Sequence, residues 1–354
     1  MKEPTRRHRS TATPVRPSRI IRPHEFDERY LTVLTHLEPY CAFKYATIPW
    51  LHWLCRPDVD YSVFRKYLGY LRQAPNRYIR CPDQQNASPN VPYKTLVYEL
   101  AERGVALLRD RGHMPEPLPL DGTEKKSKRR RAFALHRAHS YYHEIIVDLG
   151  YFAPLQHLVR SDPTLRLIGF ADLLAHKNVP AATRAAADPL LVHLKQAQMR
   201  FDGTPHVLVR THPDGRRLAV GIPGIQVDRG TETFETIEKH LRHAVEYVGD
   251  GHDRKLWGFD NCRIPFLFTS ASRKARAMAL LAEICGTCSF ILFRTIPDIG
   301  LLHHFPKPEH YDPARPVEAD EWKPPSDIHV FTGAWQRVGY RDFHLDTFDE
   351  GGAP

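Results

Sequence analysis

The order of apolar and polar positions over residues 25–111 predicts helices first and short strands afterwards. Apolar side chains recur every three or four positions in three successive segments, which is the spacing of one helix face. Thr47 and Asp60 stand just before the second and third segments, where helix N-caps are expected. The three predicted helices cover residues 25–37, 48–55 and 61–73.

Two strand-like runs, 77–81 and 94–99, follow the third predicted helix and enclose a loop rich in Pro, Asn and Ser. A fourth helix is predicted over 99–111. Three helices, a hairpin and a further helix occur in this order in the winged helix-turn-helix, whose third helix enters the major groove of DNA. The pattern therefore predicts a winged-helix DNA-binding domain over 25–111.

The third predicted helix separates an apolar face from a polar one. Its polar face carries side chains that can bind base edges or phosphates: Ser62, Arg65, Lys66 and Gln73. Arg77, Arg80 and Lys94 lie where the hairpin would run along the DNA backbone. The alternative is a helical domain whose third helix merely exposes a charged face to water.

Residues 132–300 combine helical and strand patterns, which predicts an α+β or α/β domain with a mixed sheet. A long helix is predicted over 132–149. The apolar run 264–269 is typical of a strand that is buried on both faces. The other predicted strands are 206–211, 217–220, 224–227 and 290–295, and the other predicted helices are 231–248 and 273–285, with Thr231 and Ser272 as caps.

Basic residues are densest in two segments outside the predicted domains. The formal net charge is +9, and residues 1–24 hold seven basic side chains and one acidic one, so we expect a disordered basic arm. A predicted linker, 112–131, ends in a second basic cluster. Such clusters attract polyanions by releasing counterions. The cluster residues that we expect to contact DNA are Lys125, Lys126, Arg129 and Arg130.

The remaining composition limits the class of protein. Apolar residues make up 42% of 354, which excludes wholesale disorder, and no apolar run is long enough for a transmembrane helix. Six irregularly spaced cysteines do not form a disulfide framework, so we expect a reducing compartment. The Pro-rich tail, 301–354, is acidic and contains several aromatic residues, so it is expected to dock on the core or to bind a protein partner.

Three segments resemble the bacterial replication-relaxation family. They are the sequence VDRGTE at 227–232, the sequence LFTSASRKAR at 267–276 and the sequence YELAERGVALL at 98–108. The resemblance implies a plasmid or mobile-element protein of the bacterial cytoplasm that acts on DNA. It also implies an N-terminal winged helix followed by a restriction-endonuclease-like domain of the PD-(D/E)xK class.

That nuclease fold uses two carboxylates to hold a divalent metal. Aligned by pattern, the first carboxylate position falls on His206 and the second on Gln226, and the position expected for lysine is Asp228. One carboxylate makes a weak Mg²⁺ site, because affinity rises with ligand charge. Glu232 or Glu144 could restore a ligand, and His206 could instead favour a transition metal.

We therefore hypothesise that hydrolysis is lost, that no metal cofactor is needed and that the domain is a DNA-binding or protein-binding platform. It could add backbone contacts, dimerise or recruit a partner. One alternative is an endonuclease that uses Mg²⁺ or Mn²⁺ in a migrated site built from the same candidates. Another is a transcriptional regulator with a ligand-sensing second domain.

Overall fold

The computed structural model describes residues 26–37, 44–82, 96–113, 141–186, 189–198, 200–295 and 336–339. Several predicted features lie outside the described residues: the basic arm 1–24, most of the linker 112–131, the first half of the helix 132–149 and most of the tail 301–354. Five of the residues that are expected to contact DNA also lie outside the described ranges: Lys94, Lys125, Lys126, Arg129 and Arg130. Among the described residues, no helix has both the length and the apolar content that crossing a membrane requires.

The N-terminal unit is a set of short helices around a three-stranded antiparallel sheet. A 3₁₀ turn leads into the first helix, and β3 lies between β1 and β2 in the sheet. The elements are the turn Glu28–Tyr30, α1 (Leu31–His36), β1 (Ala46–Thr47), α2 (Ile48–Cys55), α3 (Tyr61–Arg72), β2 (Ile79–Arg80), β3 (Val97–Leu100) and α4 (Glu102–Asp110).

The predicted order of this unit is present, with shifted boundaries. The fourth helix begins at Glu102 rather than at Glu99, because Glu99 lies in β3 opposite Arg80. Asp60 caps α3 as predicted, since its side chain accepts hydrogen bonds from the backbone N–H groups of Ser62 and Val63. Thr47 stands at the N-cap position of α2 as predicted, but its side chain makes no capping hydrogen bond and its backbone pairs in β1.

Packing of α3 fixes which of its faces points outwards. Phe64, Leu68 and Leu71 are buried, and each such side chain stabilises the fold by about 1.5–3 kcal/mol relative to exposure. The remaining side of α3 is therefore left to solvent.

Gly104 lets α4 approach the hairpin, because a Cβ atom there would lie 2.2 Å from the carbonyl oxygen of Tyr78.

The second unit combines two three-stranded sheets with helices. One sheet is antiparallel and has the order β4-β5-β6, and the other is parallel and has the order β7-β8-β9. The strands are β4 (Leu165–Ile168), β5 (His206–Thr211), β6 (Arg217–Ile222), β7 (Gln226–Asp228), β8 (Ile264–Phe268) and β9 (Ile291–Thr295). A bridge between Gly221 and Cys262 places β6 beside the segment that leads into β8.

Eight helices and a π-helical turn accompany these strands in the described residues. They are α5 (Tyr141–Val147), the turn Asp148–Phe152, α6 (Ala153–Ser161), α7 (Phe170–Ala175), α8 (Ala181–Arg184), α9 (Pro189–Ala197), α10 (Phe234–Gly249), α11 (His252–Trp257) and α12 (Ala271–Cys285). Two predicted caps are wrong: Thr233 rather than Thr231 caps α10, and Ser270 rather than Ser272 precedes α12. All of β8 is buried, as its apolar run predicts.

The two units meet in one of the three hydrophobic clusters of the described residues. Tyr45, Trp50 and Val97 of the N-terminal unit pack in the same buried cluster as residues of α5 and α6. Arg160 reinforces the contact, since its guanidinium donates to the carbonyl of Trp53 at 2.7 Å and lies over that ring. The N-terminal unit therefore packs against the second unit through α2, β3 and the segment before β1.

Part of the tail also docks on the core. Gln336 and Phe293 exchange two backbone hydrogen bonds in an antiparallel bridge, and Val338 accepts a further bond from the N–H of Cys288. Residues 336–339 thus pair with β9 at Phe293 and with the loop that precedes this strand.

Candidate functional sites

The polar residues predicted on α3 are exposed in the structure. Ser62, Arg65, Lys66 and Gln73 all face solvent, and Gln73 stands one residue beyond the helix end as its C-cap. In the described residues, neither Arg65 nor Lys66 forms an ion pair. Within the part of the chain that the structure describes, both positive charges are therefore without a carboxylate partner.

The segment that follows α3 extends the same positive surface. Arg77 is exposed and stands in a left-handed backbone conformation, with φ of 47°. Arg80 is also exposed, but its Nε atom lies 2.9 Å from the buried carboxylate of Glu99 across the hairpin. Arg72 is an exposed basic residue that the helix-face pattern missed. A count of charge along 61–82 finds it, because that segment holds five basic residues and no acidic one.

Exposed aromatic and apolar side chains mark the start of α3. Tyr61 is 42% exposed and Val63 is 53% exposed. The sequence pattern did not single out either residue. The signal that could have found them is that both fall off the apolar stripe that Phe64 and Leu68 define.

His206, which aligns with the first carboxylate position of the nuclease fold, is buried and hydrogen-bonded in the core. Only 1% of the residue is exposed, and its Nδ1 atom lies 2.9 Å from the carbonyl oxygen of Thr204. A carbonyl can only accept, so Nδ1 carries the proton and Nε2 accepts from the hydroxyl of Tyr151 at 3.1 Å. Burial lowers the pKa of His206 to about 4, so the ring is neutral near pH 7. Both ring nitrogens therefore serve the fold.

Gln226 and Asp228, the other two positions of the motif, also make structural contacts. The side-chain amide of Gln226 donates to the carbonyl of Arg200 at 2.5 Å. One oxygen of Asp228 accepts from the N–H of Gly230 at 2.8 Å, and the other lies 2.5 Å from Nε of Arg273. The side chain of Asp228 is 5% exposed, so this is a buried ion pair.

The same arginine fixes the turn that follows β7. Arg273 donates to the backbone carbonyl of Glu232 at 2.7 Å, and its guanidinium lies 4.7 Å from the centre of the Phe234 ring. The Glu232 carboxylate points elsewhere, towards His240 at 3.6 Å. The motif at 227–232 therefore connects β7 to the start of α12 through Arg273.

Glu144, the last candidate acid, belongs to the contact between the two units. Its carboxylate lies 2.8 Å from Nζ of Lys44 in the N-terminal unit. Asp148, one helical turn further on, accepts the backbone N–H groups of Lys44 and Tyr45 at 2.9 and 2.8 Å. These contacts assign both acids to the junction between the units.

One buried acid next to Gln226, Asp202, is not among the residues that the nuclease-like alignment selects. Asp202 is 3% exposed, and its carboxylate accepts from the N–H of Val227 at 2.9 Å. An Asp-Gly pair ahead of a strand indicates a turn in sequence analysis, which is why Asp202 was not singled out. Within the described ranges, no three His, Cys, Asp or Glu side chains are arranged to hold a metal ion.

We expect the protein to lose stability in acid, because His193 and His206 are buried as neutral rings. Burial lowers the pKa of His206 to about 4 and that of His193 to about 3, below the usual 6.5. Each ring is neutral in the folded protein and has its usual pKa near 6.5 in the unfolded chain. Its contribution to the free energy of unfolding is therefore complete above about pH 6.5 and is lost as the pH falls towards 4. We expect the free energy of unfolding in urea to drop by about 1.4 kcal/mol per pH unit for each ring over that range.

Replacing His206 by glutamine should flatten this pH dependence, whatever its effect on stability near neutral pH. His113→Gln serves as the control, because His113 is exposed. An unchanged slope in His206→Gln, compared with the wild type, would contradict the assignment of a neutral buried ring.

Comparisons of the chain with protein-family models, with curated proteins and with solved structures each found no match. We therefore infer function from the burial, the contacts and the charge of the described residues.

Proposed function

We propose that this protein binds double-stranded DNA and that its N-terminal unit is a winged helix-turn-helix. The observation that carries the proposal is the outward face of α3, where Arg65 and Lys66 are exposed and free of ion pairs within the described residues. The element order, with β1 between the first two helices and a sheet of order β1-β3-β2, supports the same assignment.

Dimensions and charge favour a duplex as the partner of α3. A helix of twelve residues is about 18 Å long, and the major groove, about 12 Å wide, admits an α-helix. The N-terminal half of such a helix contacts base edges. Arg65 and Lys66 lie in that half, and both are residue types that bind guanine or phosphate.

The hairpin adds a second contact with the DNA backbone. Arg77 and Arg80 are exposed beside α3, and phosphate contacts of this kind fix register without reading sequence. The partial pairing of Arg80 with Glu99 holds that side chain in place while leaving 57% of it exposed.

We further propose that the second unit is a nuclease-like platform without hydrolytic activity. His206 uses both ring nitrogens, Gln226 its amide nitrogen and Asp228 both carboxylate oxygens in contacts within the fold, and Arg273 forms an ion pair with Asp228. On this proposal the platform holds the winged helix and serves replication or relaxation of a bacterial plasmid or mobile element, or its control.

Enrichment of bound fragments from a pool of random duplexes tests DNA binding, with and without Mg²⁺. We expect the intact chain to select one motif under both conditions, because the proposed contacts involve no metal. A chain that retains no duplex, even in dilute buffer where phosphate contacts are strongest, would overturn the proposal.

Plasmid nicking in Mg²⁺ or Mn²⁺ tests the loss of hydrolysis. We expect no metal-dependent cleavage from the wild type, from Asp228→Ala or from the control Asp260→Ala, which changes an exposed acid. Metal-dependent cleavage by the wild type and by Asp260→Ala that Asp228→Ala abolishes would establish an endonuclease instead.

A further inference from the structure

The first turn of α3 exposes a valine for which the fold gives no reason. Val63 is the most exposed of the large hydrophobic side chains in the described part of the chain, at 53%. Valine is a poor helix former, because its branched Cβ loses rotamer freedom against the preceding turn. Val63 therefore contributes neither core packing nor helix propensity at this position.

Its neighbour Tyr61 differs, because part of its exposure is explained by a contact. The Tyr61 ring meets His52 edge-on at 5.3 Å, and His52 is itself held by a 2.6 Å hydrogen bond to the carbonyl of Val59. Tyr61 is thus supported by α2, whereas Val63 projects from the helix between Ser62 and the basic pair.

We propose that Val63 determines sequence specificity by contacting the 5-methyl group of a thymine. This inference rests on the proposed function. Val63 is one turn before Lys66 on the helix surface, so it faces the same groove. The thymine methyl is the apolar group that the major groove offers, and small apolar side chains contact it.

Charge argues against a second copy of the chain as the occupant of this surface. Four exposed basic residues, Arg65, Lys66, Arg72 and Arg77, outnumber the two exposed acids at the start of α3, Asp58 and Asp60, so two such faces would repel each other. A polyanion complements the same surface. Removal of one methyl contact is expected to weaken binding about fourfold.

Single replacement of each thymine in the selected duplex by deoxyuridine tests the proposal, because deoxyuridine pairs identically and lacks the methyl group. With the wild type, we expect an affinity loss of about fourfold at one thymine or at a symmetry-related pair. Val63→Ala should show a similar loss on the thymine duplex and no additional loss on the deoxyuridine duplex. Leu194→Ala, at another exposed hydrophobic position, should retain the full deoxyuridine effect.

Three results would overturn the proposal: a selected motif without an invariant thymine, a wild type that ignores deoxyuridine at every position, or full deoxyuridine sensitivity in Val63→Ala. Each of these leaves DNA binding intact and so differs from failure of the proposed function, in which no duplex is bound at all. Circular dichroism of Val63→Ala is expected to match the wild type, because alanine favours the helix.

Discussion

Replacing Asp148 by alanine is expected to destabilise the protein by about 3–6 kcal/mol. Asp148 is completely buried, and one of its oxygens accepts the backbone N–H groups of Lys44 and Tyr45. A hydrogen bond to a charged group contributes about 1.5–3 kcal/mol, and a buried donor left without a partner carries its full desolvation penalty. Since both donors belong to the N-terminal unit, the loss falls on the contact that joins the two units.

Urea unfolding followed by circular dichroism measures this effect. Asp148→Asn should lose less than Asp148→Ala, because its amide oxygen still accepts, and it provides a folded variant if the alanine protein cannot be purified. Asp172→Ala is the matched control, since Asp172 is exposed. Changes below about 1 kcal/mol in both Asp148 variants would show that the carboxylate does not hold the junction.

The double substitution Arg65→Ala/Lys66→Ala is expected to lower affinity for the selected duplex by about 10²–10⁴-fold. Each side chain is exposed and unpaired within the described residues, so its removal leaves the core unchanged. A good base contact contributes about 1–3 kcal/mol, and each lost phosphate contact also lowers the salt dependence of binding. Fluorescence anisotropy at two salt concentrations measures both quantities.

Arg217→Ala/Lys239→Ala is the control for this substitution. It removes the same formal charge from exposed positions of the second unit. If both double variants weakened binding equally, the effect would reflect net charge alone, and α3 would not be the reading surface.

Local sequence patterns predicted the parts of the fold that depend on neighbouring residues. The bounds of α2 and the Asp60 cap follow from periodicity and from side-chain geometry within a few residues. The sequence patterns did not predict β1 or β4. Pairing with β3 and β5 creates these strands, and such pairing is a long-range property.

In the candidate sites too, the sequence predicts features that depend on neighbouring residues and misses contacts between residues far apart in the chain. Exposure of Arg65 and Lys66 was predictable, since the apolar stripe of α3 fixes the opposite face. The Asp228–Arg273 pair was not predictable, because 45 residues separate the partners. The contact between Lys44 and Glu144 spans 100 residues and depends on how the two units pack.

Methylation interference on the selected duplex tests most directly whether α3 reads the major groove. Methylation of guanine N7 blocks an acceptor that only the major groove presents. We predict that methylation at particular guanines prevents binding by the wild type and that Arg65→Ala removes the interference at one of them. Binding that tolerates methylation of every guanine, or an interference pattern that Arg65→Ala leaves unchanged, would contradict recognition of DNA by this helix.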